Sequence, residues 1–176
     1  MTDNAGLVVR SARDEDAALL RQTFAESHCA GWERLPLGEA AYQQLVDLLW
    51  TARQSQYRSA FPGSREQIIE ADGVAVGSCW IFETADELRV VDIAVLAGHR
   101  RRGVARAVLR QLVGKAAADN KPVRLSVWQD NAAAQALYLD LGFRRAADRE
   151  RPATGYLELE WLATMYPMAM QAAADD

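Results

Sequence analysis

His99-Arg100-Arg101-Arg102 is the longest basic run in the chain, and Gly103 follows it directly. Cations beside a glycine suit a phosphate: arginines bring charge and planar donors, and the glycine lets the backbone approach the anion closely. A helix opening at Gly103 would add the unpaired N–H groups and partial positive charge of its first turn. The same residues also fit a solvated basic turn. Further along stands the spacing Asn131-x-x-Ala134-x-x-Leu137-Tyr138-x-x-x-Gly142-Phe143. Read plainly, Asn131 is a helix N-cap, Ala134 and Leu137 are core, and Tyr138 is a half-buried aromatic.

Positioning these residues takes specific elements. Val90 to Leu96 is apolar enough for a strand feeding the basic turn, and Val104, Ala107, Val108, Leu112 and Val113 give the helix after Gly103 a buried stripe to about Asp119. Asn120-Lys-Pro122 closes that helix. Val123 to Trp128 is then a strand, parallel to the central one through a strand–helix–strand crossover. A helix from Asp130 or Asn131 stops at Gly142, and the chain re-enters a strand at Phe143.

Two motifs carry a family resemblance. Arg100-x-x-Gly103-x-Ala105 after an apolar strand resembles the pyrophosphate loop of the GNAT superfamily of acyl-CoA-dependent N-acetyltransferases. The Asn131 to Phe143 spacing resembles its second signature. The likeness covers Val74 to Phe143 well, the final strands loosely, and the first sixty residues only in helical content. It implies acetyl-CoA as cosubstrate, with backbone groups of Ile93, Ala94 and Val95 pairing with the pantetheine arm. It further implies that the amides of Arg101, Arg102, Gly103, Val104, Ala105 and Arg106 hold the pyrophosphate, with charge from Arg100. Asn131 would contact the pantetheine and Tyr138 would lie near the thioester sulfur.

The implied chemistry is direct transfer to a primary amine in a ternary complex. A phenol, with a pKa of about 10, can protonate the departing thiolate, and strand N–H groups can stabilise the oxyanion. The base is where the chain departs from the family: Ser126 and Arg89 stand where two branches carry Glu. Asp92 and Glu83 remain, Asp92 first; its plainer role is to pair with an arginine. Ordered waters are an alternative. A non-catalytic acyl-CoA-binding or regulatory module is the competing class, and the presence of Tyr138 favours the enzyme.

Composition narrows the partners. With 20 basic and 24 acidic residues the formal charge is −4, which argues against nucleic acid. Clustered arginines instead suit a small anion, with the acceptor a small-molecule or protein amine. Cys29 and Cys79 lack metal or redox spacing and read as buried thiols of a cytoplasmic protein. His28 beside Cys29 suggests a ligand pair, yet two histidines in all make a metal site improbable. Neither a membrane span nor a signal peptide is expected. A homodimer fits only family habit.

Taken in order, Leu7–Arg10 is a strand, Asp14–Ser27 a helix, and His28–Gly38 a loop in which Trp32 is a hydrophobic plug or a substrate wall. A second helix runs from about Glu39 to Ser59; Arg53, Gln56, Tyr57 and Arg58 in its last turns suit capping and solvation. Strands Glu66–Ala71 and Val74–Glu83 flank Asp72-Gly73, a strong hairpin signal, and a turn at Thr84–Asp86 leads into Glu87–Leu96. Phe143–Ala147 and Gly155–Trp161 are the last strands. The acceptor site would draw on Trp32 to Arg58, Trp128 and the loop Arg149–Thr154, with Tyr57 and Trp128 as an apolar wall and Glu26 or Glu33 attracting an amine. The expected fold is α+β, a mixed, mostly antiparallel sheet of about six to seven strands with helices on both faces. Residues 1–164 form one domain and 165–176 a frayed tail.

Overall fold

The computed structural model describes residues 6–146 and 155–163; the expected tail and the loop Arg149–Thr154 lie outside them. Seven strands form a mixed sheet: β1 (Leu7–Ser11), β2 (Arg65–Ala71), β3 (Val74–Glu83), β4 (Leu88–Val95), β5 (Val123–Trp128), β6 (Arg144–Arg145) and β7 (Tyr156–Trp161). Their order is β1-β2-β3-β4-β5-β7-β6. Four α-helices accompany them: α1 (Ala17–His28), α2 (Glu39–Ala60), α3 (Val104–Ala118) and α4 (Ala132–Asp140). By backbone proximity the chain divides into two compact units, Met1–Phe82 with Val91–Val108, and Glu83–Val90 with Leu109–Asp176.

In the first unit, β1 and β2 pair antiparallel from Leu7↔Ala71 to Ser11↔Gln67, and β2 pairs antiparallel with β3 through a bulge between Ile69 and Glu70. Asp72 and Gly73 join β2 to β3 with φ of 52° and 76°. Both values are positive, as a two-residue turn matching the strand twist requires. α1 begins after a 3₁₀ turn at Asp14–Asp16, later than the spacing suggests, because the Asp16 carboxylate accepts from the Arg13 N–H at 2.8 Å and ties the first turn down. Phe24, Cys29 and Val46 make a buried cluster with Tyr42, Leu49 and Trp50 against it. Trp32 sits in a 3₁₀ turn, Trp32–Arg34, and is 38% exposed. The plug reading is therefore wrong: left-handed Gly31, φ 88°, opens a turn that presents the indole to solvent.

In the second unit, the start of β4 pairs parallel with β5 at Leu88↔Val123, Arg89↔Arg124 and Val90↔Leu125, as the crossover predicts. β5 pairs antiparallel with β7 along its whole length. β6 is a two-residue strand, shorter than the expected Phe143–Ala147, and Phe143 is buried rather than in the ladder. Leu109, Leu125, Val123 and Trp161 are fully enclosed. Leu109 falls between the residues expected to form α3's stripe, so the buried face of that helix is wider than the spacing suggests.

Candidate active site

β4 ends at Val95, a 3₁₀ turn spans Ala97–His99, and α3 opens at Val104. Between them, Arg101 has φ 62° and Gly103 φ 83°. Arg100 before them is extended, φ −65° and ψ 160°, so the chain reverses over these few residues, and turns of this kind can direct backbone N–H groups into a concavity for an anion. Arg101, Arg102 and Gly103 are exposed. The first helical hydrogen bond after this turn runs from Ala107 N–H to the Gly103 carbonyl, 3.0 Å, so Val104 to Arg106 form the first turn of α3. Arg100 is placed differently from its cationic neighbours. Its guanidinium turns back, Nε donating to the Val95 carbonyl at 2.8 Å and Nη2 to the Glu26 carbonyl at 3.0 Å, and so braces the loop against the ends of β4 and α1.

Ile93, Ala94 and Val95 lead into that turn, Ala94 and Val95 buried and Ile93 half-buried. β3 comes close beside them. A Cβ on Gly77 would stand 2.4 Å from the Ala94 carbonyl oxygen, and Leu96 N–H donates to the Val76 carbonyl at 2.9 Å. Gly77 is thus small where the close approach requires it.

Asp92, one residue before Ile93, lies in a cluster of ionisable side chains that the sequence did not disclose. Arg53 of α2 donates to Asp92 Oδ2 and, at 3.3 Å, to Glu66 Oε1 of β2. Gln54 donates to the other Glu66 oxygen at 2.8 Å. Phe24 and Tyr57 face the Arg53 guanidinium at 4.8 and 5.5 Å. Arg53 is only 8% exposed, so its assignment to capping and solvation is corrected: the buried carboxylates hold it inside. Burial also lifts Glu66 above the ordinary carboxylate range, against hydrogen bonding by Gln54 and the charge of Arg53. His28, at the end of α1, stands with Nε2 3.6 Å from Asp92 Oδ2. Tyr57 packs edge-on to Trp80 at 5.3 Å. Glu26 accepts from Ala97 N–H.

The second unit carries the remaining residues. Asn131 caps α4, its side chain accepting from Ala134 N–H at 3.1 Å. Tyr138 is 8% exposed, more enclosed than half-buried, and its ring lies 5.7 Å from that of Phe143. Trp128 pairs with Tyr156 at 5.1 Å. Glu83 is paired with Lys115 at 2.5 Å and Lys121 at 3.6 Å, and Lys115 holds its carboxyl below the usual range. Ser126 and Arg89 meet around a carboxylate after all: Arg89 donates to Glu158 at 3.1 Å and to Ser126 Oγ at 3.4 Å, and Ser126 donates to Glu158. Glu158 is opposite Ser126 in the β5–β7 ladder, and only that register, invisible along one strand, reveals it.

An open mixed sheet whose central strand runs through a cationic, left-handed turn into a helix N-terminus defines an α+β protein. The family model for the acetyltransferase (GNAT) family matches residues 21–143. A mycothiol acetyltransferase of Actinosynnema mirum is 32% identical over 115 residues, 64% of this chain and 35% of that protein; the chain thus spans about a third of that relative's length. The fold is shared with the ribosomal-protein-S18-alanine N-acetyltransferase of Escherichia coli, TM-score 0.61 at 19% identity over 92% of this chain and 96% of that one. It is shared too with the PaiA N-acetyltransferase of Thermoplasma acidophilum, solved in complex with coenzyme A, TM-score 0.61 at 12% identity over 89% and 98%. The chain belongs to the acetyltransferase (GNAT) family. Among the described residues no helix is long and apolar enough to cross a membrane.

Proposed function

We propose that the protein transfers the acetyl group of acetyl-CoA directly to a primary amine in a ternary complex. The observation that carries the reading is the turn Arg100–Gly103: left-handed backbone at Arg101 and Gly103, exposed cations, and the N-terminus of α3 fit a pyrophosphate. The amides of Arg101 to Arg106 would bind it, and Arg100 would act by bracing the loop. Ile93 to Val95 would pair with the pantetheine arm, and Asn131 would contact it. Acetyl-CoA supplies an acetyl group activated as a thioester. Strand N–H groups would steady the oxyanion, Tyr138 would give a proton to the leaving sulfur, and Asp92 would serve the amine. The acceptor is a small-molecule or protein amine; similar proteins carry names as different as ribosomal-protein-S18-alanine N-acetyltransferase and mycothiol acetyltransferase. A cytoplasmic setting agrees with two free, buried cysteines.

Calorimetric titration of acetyl-CoA into wild type, Gly103→Glu and Tyr138→Phe tests this, followed by free-thiol release with a panel of amines. Binding lost in Gly103→Glu, with turnover reduced in Tyr138→Phe, supports the transferase. No binding by the folded wild type would sink it, and binding without turnover on any amine would leave the non-catalytic module.

A further inference from the structure

We infer that His28 and Asp92 together form the seat for the acceptor's amino group, the His28 ring taking its proton; this deepens the transfer reading above and rests on it. His28 is anchored from two sides. Its ring stacks on Phe24, centroids 5.0 Å and planes 18° apart, and the Phe24 backbone one turn earlier in α1 favours a proton on the ring. With Nε2 turned toward Asp92 at 3.6 Å, Nδ1 is the nitrogen left to face that carbonyl. The neutral ring therefore carries its proton on Nδ1 and a lone pair on Nε2. Two acceptors then converge on one place. A lone pair and a carboxylate oxygen at this separation repel unless a donor sits with both, and a primary amine has N–H groups for each.

The surroundings set the ring's charge. Burial disfavours the imidazolium most, Asp92 on β4 favours it and Arg53 on α2 opposes it, the balance holding His28 below its ordinary range. Glu66 on β2 shares Arg53 with Asp92, and Cys79 on β3 lies near both carboxylates. The ring is thus neutral at neutral pH and free to accept, while its side chain stays 35% exposed and Asp92 16%, so an amine can reach the pair. In the transfer, the amine lone pair forms the N–C bond and the C–S bond breaks with its electrons on sulfur. The surplus amine proton ends on Nε2, where Asp92 steadies the imidazolium.

The chain has two histidines, His28 and His99, so nitrogen NMR of the whole protein beside a His99→Gln variant isolates the His28 ring. At neutral pH the expected ring is uncharged with its proton on Nδ1. Propylammonium should shift its signals saturably, tetramethylammonium, which has no N–H, should not, and Asp92→Asn should weaken the propylammonium response. A ring charged at neutral pH or protonated on Nε2, no saturable shift, or equal shifts from both ions overturns the seat. Titration with acetyl-CoA separates the two ideas. A chain that binds acetyl-CoA but carries Nε2–H has lost only the seat, and one that answers propylammonium yet binds no acetyl-CoA has lost the transfer reading.

Discussion

The Arg100 guanidinium donates to the carbonyl of Val95, five residues behind it, so the first arginine of the basic turn is spent on closing the turn. Its second donation, to Glu26 at the end of α1, fixes the same loop from another element. Arg100→Ala should therefore weaken acetyl-CoA binding by about tenfold through loop disorder, and lower stability by about 1 kcal/mol, the discount reflecting an exposed site. Calorimetry and urea unfolding check the pair. A loss in affinity with unchanged loop order would instead mark Arg100 as a direct charge contact.

Gly77→Ala should damage the strand that leads to the turn. The new Cβ meets backbone, the Ala94 oxygen at 2.4 Å and the Val95 Cα at 3.1 Å, and backbone cannot swing aside as a flexible side chain does. A cost of about 1–3 kcal/mol is expected, with acetyl-CoA affinity falling as Ile93 to Val95 shift. Thermal melts together with acetyl-CoA titration test it.

Arg53→Met keeps the length of the side chain and removes the charge shared by Asp92 and Glu66. Leaving two enclosed carboxylates without their cation should cost about 3 kcal/mol. Because protonation would relieve that repulsion, the variant should recover stability as pH falls toward the carboxylate range, and by more than the gain wild type draws from its own raised Glu66. Urea midpoints over pH show which occurs.

Acid should loosen the first strand–helix junction. Asp16 is held at about 2, below its ordinary 3.8, chiefly by its hydrogen bonds with Arg10. A depressed carboxylate contributes stability above its unfolded pKa and loses it as pH falls through the folded one. The loss should thus run from just above 3.8 down to about 2, and Asp16→Asn should remove that portion of the acid limb.

Neither thiol should react in the native protein. Cys29 and Cys79 are each 1% exposed, and burial pushes Cys79 up to about 12 and raises Cys29. A chromogenic disulfide should report no thiols at mildly alkaline pH before denaturant and both afterwards.

Local signals in the sequence were legible where neighbours along the chain decide the outcome. Asp72-Gly73 specified its turn because both residues tolerate positive φ, Asn131 capped α4 through its own side chain, and the crossover fixed β4 and β5 as parallel. The ion cluster was not legible, because Arg53 and Asp92 are 39 residues apart and nothing in a helical repeat tells a buried guanidinium from a solvated one. His28 drew notice only as a metal ligand beside Cys29, since its meeting with Asp92 depends on how α1 ends against β4. Trp32 failed for the opposite reason: an aromatic in a loop is usually tucked inward, and here a glycine-opened turn holds it out.

On the proposed transfer reading the two buried cysteines have a consequence, because the chain would handle a thioester. An accessible thiolate would exchange with acetyl-CoA and acylate the protein itself, since thiolates attack thioesters readily and a low pKa hastens them. With both cysteine sulfurs enclosed and Cys79 pushed up to about 12, the native chain would offer an activated acetyl group no reactive thiol of its own.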